Sequence, residues 1–150
     1  MKTLLFVLFC PFSLFAQIQG KAVAISDGDT FTLLTNDQRQ LKIRLYGIDC
    51  PEKGQAFGTK AKEKLSELIF GKDLTVTDRG LDRYGRTLGI VFHGGLNICE
   101  EMIRNGFAWH FIRYDNNKVW DILEEQARKE RLGLWSDPAP VAPWELRKSN

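Results

Sequence analysis

The sequence predicts an α+β protein built on a five-stranded OB-type barrel with about three helices. Three strand-like segments come first, followed by a helical segment, two more strands and then further helices, which is the element order of such a barrel. Five short strands must close on one another to avoid exposed sheet edges. At 150 residues, with 43% hydrophobic and 27% charged residues, the chain has ordinary globular composition and the size of one domain.

The N-terminus has the three parts of an export signal. A basic residue, Lys2, precedes an apolar run over residues 4–15, and the small residue Ala16 follows it. The run is too short to span a bilayer, and Pro11 argues against a core helix. We expect residues 1–16 to be a signal peptide cleaved after Ala16. The remaining chain, 17–150, is then an exported single domain without membrane attachment.

The first three strands are predicted from alternation of apolar and polar residues between turn signals. They cover residues 20–26, 29–35 and 40–48, separated by Asp27-Gly28 and Asn36-Asp37. In the third strand one face is apolar and the other carries Lys42, Arg44 and Tyr46. Because a buried arginine is improbable, we expect Arg44 to project away from the core.

The apolar period then changes from two residues to that of a helix. Residues 57–70 predict a helix ending at Gly71, residues 73–78 and 87–93 predict two strands, and residues 98–105 predict a short helix with Asn97 as N-cap. A last helix over residues 118–132 is expected to turn four apolar residues inward: Val119, Ile122, Leu123 and Ala127. The proline-rich segment 137–143 is expected to be extended.

Two carboxylates are placed to meet at the mouth of the barrel. Asp29 opens a strand after a glycine turn, and Asp49 ends another strand. Carboxylates with backbone carbonyls and water suit a hard cation, Ca²⁺ or Mg²⁺. Asx turns are the alternative for these acids, favoured for Asp27 and left open for Asp29. Zinc is disfavoured, because His93 and His110 are far apart without further ligands at zinc spacing.

Arginines and one further acid complete the pattern. Arg44 and Arg86 are suited to bidentate contact with a phosphodiester, and Glu52, rigidified by Pro51, can orient or deprotonate a water near the metal. Each residue alone is also compatible with a surface ion pair, but together they indicate phosphodiester cleavage. A non-catalytic nucleic-acid-binding OB module is the main alternative, although binding alone does not need Glu52. An unrelated OB-type interaction protein leaves these positions unexplained.

Four blocks carry a resemblance to a known family: DGDT at 27–30, IRLYGIDCPE at 43–52, DRYGR at 82–86 and GLW at 133–135. With them the chain resembles the thermonuclease family, the staphylococcal or micrococcal nuclease-like enzymes. The resemblance implies a monomeric, calcium-dependent nuclease that cuts DNA and RNA by water attack and leaves 3′-phosphates. The site residues that it implies are Asp29, Asp49 and the Cys50 carbonyl for one Ca²⁺, Arg44, Glu52 and Arg86 for catalysis, and Arg83, Tyr84 and Tyr114 for substrate.

Several positions depart from the family pattern. Cys50 stands where the best-known member has a threonine, Ile112 replaces a second pocket tyrosine, and the loop over residues 53–55 is much shorter than in that member. We expect Trp109 to pack in the core. In an oxidising compartment Cys50 and Cys99 can form a disulfide, but sequence does not place them within bonding distance, so a disulfide and two free thiols both remain open.

Overall fold

The computed structural model describes residues 16–149. The signal peptide predicted for residues 1–16 lies almost entirely outside the described residues, and both the signal and its cleavage after Ala16 stay predictions. Ala16 itself already belongs to the folded part, because its carbonyl accepts a hydrogen bond from the Asp78 amide at 2.9 Å.

The five long strands form a closed barrel, as the sequence predicted. Their order in the sheet is β3-β2-β1-β5-β6, and a parallel pairing of β3 with β6 closes it. Two short strands, β4 and β8, pair in a separate ladder beside the barrel. The strand bounds are β1 Gln17–Ile25, β2 Thr30–Thr35, β3 Gln40–Leu45, β4 Ile48–Asp49, β5 Asp73–Leu81, β6 Thr87–His93, β7 Leu96–Asn97 and β8 Trp109–His110.

In the described part of the chain, four α-helices and a 3₁₀ helix surround the barrel, one α-helix more than the sequence predicted. They are α1 Gly58–Ile69, α2 Ile98–Arg104, α3 Lys118–Lys129, the 3₁₀ helix Gly133–Ser136 and α4 Pro143–Ser149. The tail expected to be extended therefore ends in a helix, since Pro143 occupies the first helical position, where a missing amide costs nothing. Within the described residues, no helix is long and apolar enough to cross a membrane.

The inward face predicted for α3 is partly wrong. Val119 and Ile122 are 55% and 54% exposed, whereas Trp120, Leu123 and Ala127 are buried. Trp120 is the largest fully buried side chain, and the buried positions follow from it at helical spacing. Burial of the indole therefore sets the rotation of the helix, and two smaller apolar residues remain in contact with solvent.

The core has two parts. The barrel interior, α1 and α2 form one cluster, and a second cluster lies under the C-terminal segment and contains Trp109, Trp135 and Ala142. Trp109 is 8% exposed and packs against the Trp135 ring at a centroid distance of 4.3 Å. This confirms the core position expected for Trp109.

The two described cysteines are buried free thiols, so the disulfide that the sequence left open is not formed. The Cys50 thiol donates to the Gly28 carbonyl at 3.2 Å, and the Cys99 thiol lies 4.0 Å from the Gly89 carbonyl. Burial, foremost, raises the pKa of both thiols, that of Cys99 to about 12. Both side chains therefore act as small apolar residues of the core.

Candidate active site

The two carboxylates predicted to converge are joined by one arginine. Arg44 contacts an Asp29 carboxylate oxygen at 3.0 Å through one terminal nitrogen and an Asp49 oxygen at 2.8 Å through the other. The side chains of Arg44, Asp29 and Asp49 are only 14%, 9% and 2% exposed. Arg44 also donates to the Ile48 carbonyl at 3.0 Å. Arg44 thus points away from the barrel core, as predicted, into a nearly buried polar site.

The negative charges of the aspartates around Arg44 are only partly neutralised by its guanidinium group. Burial raises the pKa of Asp29 to about 7; Arg44 opposes the shift, whereas the neighbouring Asp27 and Asp49 add to it. Burial alone would lower the pKa of Arg44, but Asp29 and Asp49 raise it, so the guanidinium stays charged. A buried carboxylate with a raised pKa gains from further positive charge nearby. The site therefore favours an additional cation.

A glycine allows the strand ends to approach one another. A Cβ atom on Gly28 would lie 2.8 Å from the Cβ atoms of both Cys50 and Ala61, so only glycine fits there. The Cys50 amide donates to Asp29 at 2.9 Å, and the Asp29 amide donates to Asp27 at 3.0 Å. The second contact is the Asx turn predicted for Asp27. The backbone at Cys50 is thus fixed beside the first carboxylate.

The short loop after Glu52 is held by its own hydrogen bonds. The Glu52 amide donates to the Gln55 side chain at 2.9 Å, and the Gln55 amide donates back to the Glu52 carbonyl at 2.9 Å. A Cβ atom on Gly58 would lie 2.2 Å from that carbonyl, so α1 begins directly against the loop. Gln55 also donates to the Val141 carbonyl at 2.6 Å. These hydrogen bonds fix the backbone of the short loop and thereby hold the main chain of Glu52 in place.

Arg86 reaches the site from the turn between β5 and β6. Its Nε donates to Asp82 at 2.6 Å, and a terminal nitrogen donates to the Thr30 hydroxyl at 3.3 Å. Burial would raise the pKa of Asp82, but the hydrogen bonds from Arg86 and the Tyr84 amide lower it below its usual value. Asp82 therefore stays ionised and orients Arg86 toward β2.

The residues expected to contact substrate form an exposed rim. Tyr84 and Tyr114 are 68% and 63% exposed, and the Arg83 guanidinium lies 4.8 Å from the centre of the Tyr84 ring. The Tyr46 hydroxyl donates to the Tyr114 carbonyl at 2.6 Å and fixes that backbone. Ile112, the departure in this segment, is 69% exposed.

One open cavity of about 820 Å³ brings all the predicted site residues together. It is lined by the nine residues named from the sequence: Asp29, Arg44, Asp49, Cys50, Glu52, Arg83, Tyr84, Arg86 and Tyr114. The histidines lie elsewhere: His110 is buried beside Asp121, its Nδ1 2.7 Å from a carboxylate oxygen, and His93 lies at a strand end with Nδ1 2.9 Å from the Asp73 carbonyl.

Sequence reasoning missed several basic and aromatic residues that line the cavity, among them Arg113, Trp144, Arg147 and Lys148. Arg147, in α4, contacts both Asp49 and Glu52 through its two terminal nitrogens. The sequence did contain a signal for α4. Pro143 is followed by an aromatic and an acidic residue and then by two basic residues, a pattern typical of a helix start. The proline-rich residues before it favoured an extended tail instead.

The described residues contain no cluster of three or more histidine, cysteine, aspartate or glutamate side chains able to hold a metal ion. Asp29 and Asp49 offer two carboxylates, and Cys50 adds a neighbouring backbone. Few protein ligands of this kind, all oxygen, are compatible with Ca²⁺ or Mg²⁺ whose remaining positions are filled by water and substrate. The raised pKa of Asp29 agrees with a cation at this position. The donor set therefore fits a hard divalent ion.

Comparison with known proteins agrees with this geometry. The family model described as staphylococcal nuclease homologue matches residues 42–137. An uncharacterised endonuclease of Haemophilus influenzae is 41% identical over 128 residues, covering 85% of this chain and 72% of its own. A micrococcal nuclease of Shigella flexneri is 40% identical, covering 96% of this chain and 88% of its own.

A relative from a plant extends the comparison. A staphylococcal-like nuclease of Arabidopsis thaliana is 39% identical over 111 residues, covering 74% of this chain but 34% of its own length. The residues matched by the family model include Arg44, Asp49, Glu52 and Arg86, and the barrel is the fold expected for such an enzyme. The chain belongs to the staphylococcal nuclease family and is a phosphodiester hydrolase, a nuclease acting on nucleic acid.

Proposed function

We propose that this protein is an exported, monomeric, calcium-dependent endonuclease that hydrolyses both DNA and RNA and leaves 3′-phosphate ends. The convergence of two buried carboxylates, two arginines and Glu52 on one cavity carries the proposal. The names of the relatives, nuclease and endonuclease, support the reaction class. A module that only binds nucleic acid has no need of Glu52 or of paired carboxylates, so that alternative is not favoured.

In this proposal Arg44 and Arg86 bind the phosphate of the substrate. Phosphoryl transfer depends mainly on positioning and on neutralising negative charge, and a guanidinium does both through paired N–H donors. Asp29, Asp49 and the Cys50 carbonyl would hold the calcium ion. When bound, calcium supplies positive charge that stabilises the charge developing on the phosphate. The arginines supply the rest, in a region that excludes most water.

Glu52 acts on the attacking water. Its carboxylate orients the water and accepts a proton as the water oxygen bonds to phosphorus. The bond from phosphorus to the 5′ oxygen then breaks, leaving a 3′-phosphate on one fragment and a 5′-hydroxyl on the other. The exposed rings of Tyr84 and Tyr114 stack on bases, and stacking does not distinguish the two sugars. Both polymers are therefore expected to be cut.

The experiment is a digestion of plasmid DNA and of RNA by purified residues 17–150. Calcium, magnesium and EGTA are compared, beside Glu52→Gln. We expect cutting of both polymers with calcium, loss in EGTA, and loss of about 10²-fold or more in kcat for Glu52→Gln, because a positioned general base contributes about 10²–10⁴-fold. Product ends are examined by 3′-end labelling before and after phosphatase treatment, which separates 3′-phosphates from 3′-hydroxyls.

Two results would contradict the proposal. Unchanged cutting in EGTA would refute calcium dependence, and nucleic-acid binding without cutting under every metal would point to a binding module. Export is tested separately, by N-terminal sequencing of protein recovered outside the cytoplasm. A mature chain that begins at Gln17 is expected, and a retained Met1 would refute export by this signal.

A further inference from the structure

The C-terminal helix covers the acidic part of the active site with an arginine. One terminal nitrogen of Arg147 contacts Asp49 and the other contacts Glu52. The second carboxylate oxygen of Asp49 is already bound to Arg44 at 2.8 Å. Both oxygens of Asp49 are therefore occupied by guanidinium groups, and the carboxylate of Glu52 is held as well.

Packing, rather than this ion pair alone, places α4. Trp144 stacks on Phe111 with a ring-centroid distance of 4.9 Å and lies edge-on to Trp109 at 5.6 Å. Pro143 and Ala142 are buried beneath the helix start. The match to the family model ends at residue 137, before α4 begins. The helix is thus anchored by aromatic residues and carries Arg147 to the site.

The two guanidinium groups on Asp49 differ in how easily they can leave. The Arg44 side chain is 14% exposed and bonded on several sides, whereas the side chains of Arg147 and Glu52 are 45% and 47% exposed. Partly exposed ion pairs contribute little net stability, because water competes for both charges. The cavity of the active site and a second cavity of about 710 Å³ are both lined by Glu52 and Arg147, so Arg147 has room to move.

We propose that Arg147 competes with the catalytic cation. In the cation-free protein it neutralises Asp49 and Glu52, and it must leave both carboxylates before they can act on a metal ion and a water. This inference rests on the proposed function, since it concerns the same calcium site. Its consequence is that α4 weakens calcium binding and keeps Glu52 occupied until calcium is present at sufficient concentration.

The test is a calcium titration by isothermal titration calorimetry on the full mature chain. Arg147→Met removes the competing guanidinium and keeps most of the side-chain length. We expect its Kd for calcium to fall by about fivefold to tenfold, because Arg147 makes two ion pairs and each partly exposed pair contributes a factor of up to about five. Lys148→Met removes the same charge from the neighbouring position of α4, which lines the same cavity but makes no ion pair with Asp49 or Glu52, and its Kd should change less than about twofold.

Arg147→Lys is the second variant. It keeps the charge but lacks the planar fork that spans two carboxylates, so calcium should bind more tightly than to wild type and more weakly than to Arg147→Met. Circular dichroism and urea unfolding establish that each variant is folded. If Arg147→Met does not fold, Arg147→Lys alone decides, and an unchanged Kd in that variant overturns the proposal.

Other results separate this inference from the proposed function. A wild-type Kd equal to that of Arg147→Met would overturn the competition and leave calcium dependence intact. Reduced kcat in Arg147→Met with an unchanged Kd would make Arg147 a positioning residue for Glu52 instead, which also overturns it. Absence of calcium binding by wild type and every variant would overturn both proposals, whereas calcium binding by Arg147→Met alone would support competition in its strongest form.

Discussion

The two ends of the active-site cavity are built differently. At one end Asp29, Arg44 and Asp49 have side chains no more than 14% exposed and are bonded to one another and to the backbone. At the other end Tyr84 and Tyr114 are more than 60% exposed. The first end is fixed by strand ends and by the close approach at Gly28. At the second end hydrogen bonds hold the backbone of a turn and a loop, but the two tyrosine rings project into solvent.

This difference corresponds to the two tasks of a nuclease. Catalysis needs charges held within a few tenths of an ångström, and burial among hydrogen-bonding partners provides that. Binding of nucleic acids of varied sequence needs aromatic surfaces that tolerate any base, and exposed rings provide that. A substitution at the buried end should therefore affect both folding stability and turnover, whereas one at the exposed rim should affect binding alone.

The largest effects are expected for Arg44→Met and Arg86→Met, and the two variants are compared with each other. Each variant loses a guanidinium at the phosphate, so kcat should fall by about 10²-fold or more. Arg44→Met also leaves buried Asp29 without its arginine and Asp49 with Arg147 alone, which should cost about 3–5 kcal/mol of unfolding free energy. Arg86 pairs with the more accessible Asp82, and its loss should cost about 1 kcal/mol or less. Urea unfolding and steady-state cleavage measure both quantities.

Equal loss of unfolding free energy in Arg44→Met and Arg86→Met would contradict the distinction between a buried, fixed end of the cavity and an exposed end. Near-normal cutting by either variant would contradict the assignment of that arginine to catalysis. Arg44 lowers the pKa of Asp29, so in Arg44→Met that pKa rises further above about 7 and protonation of Asp29 relieves part of the cost. The loss of stability in Arg44→Met should therefore grow as the pH of the unfolding measurement is raised.

The next effect concerns the pH dependence of stability without calcium. Burial raises the pKa of Asp29 in the folded protein to about 7, whereas the ordinary pKa of an aspartate, expected in the unfolded chain, is 3.8. Between these values the folded state binds more protons than the unfolded state, so this group's contribution to stability falls as pH rises. The unfolding free energy of wild type, relative to Asp29→Asn, should therefore decrease from pH 4 to pH 7 and then level off.

Asp37→Asn is the matched control. Wild type and both variants are measured by urea unfolding in EGTA. A hydrogen bond from the Thr35 hydroxyl, with the contacts from Arg39, lowers the pKa of Asp37 below 3.8. Its contribution to stability is therefore constant above pH 4 and is lost only at lower pH. An Asp29→Asn difference that is flat or rises over the same interval would show that Asp29 is not the group destabilised by burial.

The buried end could be predicted from sequence because its causes are local. Alternation in β3 placed Arg44 opposite the apolar face, and the glycine turn before Asp29 and the strand end at Asp49 placed both acids at the barrel mouth. Of the rim residues, Arg83 and Tyr84 came from a short block of sequence that resembles a known family, whereas Tyr114 lies outside the four blocks and came from the family resemblance alone. Except for Tyr114, the deciding signal lies within about ten residues of the side chain in question.

The contribution of α4 could not be predicted in this way. Arg147 and Asp49 are 98 positions apart in the chain, and no local pattern relates them. The rotation of α3 was mispredicted for a similar reason: burial of Trp120 depends on the core that it meets, whereas Val119 and Ile122 fit the helical period equally well. Tertiary packing decided between faces that the periodicity alone left equivalent.

The smallest expected effect lies at the exposed rim. Tyr114→Leu removes a ring that is 63% exposed and lines the cavity, so KM for single-stranded DNA should rise by roughly tenfold while kcat changes less than about twofold, since stacking on one base contributes about 1–3 kcal/mol. Ile112→Ala, an equally exposed position two residues earlier, should leave KM within about twofold. Loss of kcat in Tyr114→Leu would place the tyrosine among the groups that act on the phosphate. An unchanged KM would show that bases do not stack on this ring, and the rim would then bind substrate through its arginines alone.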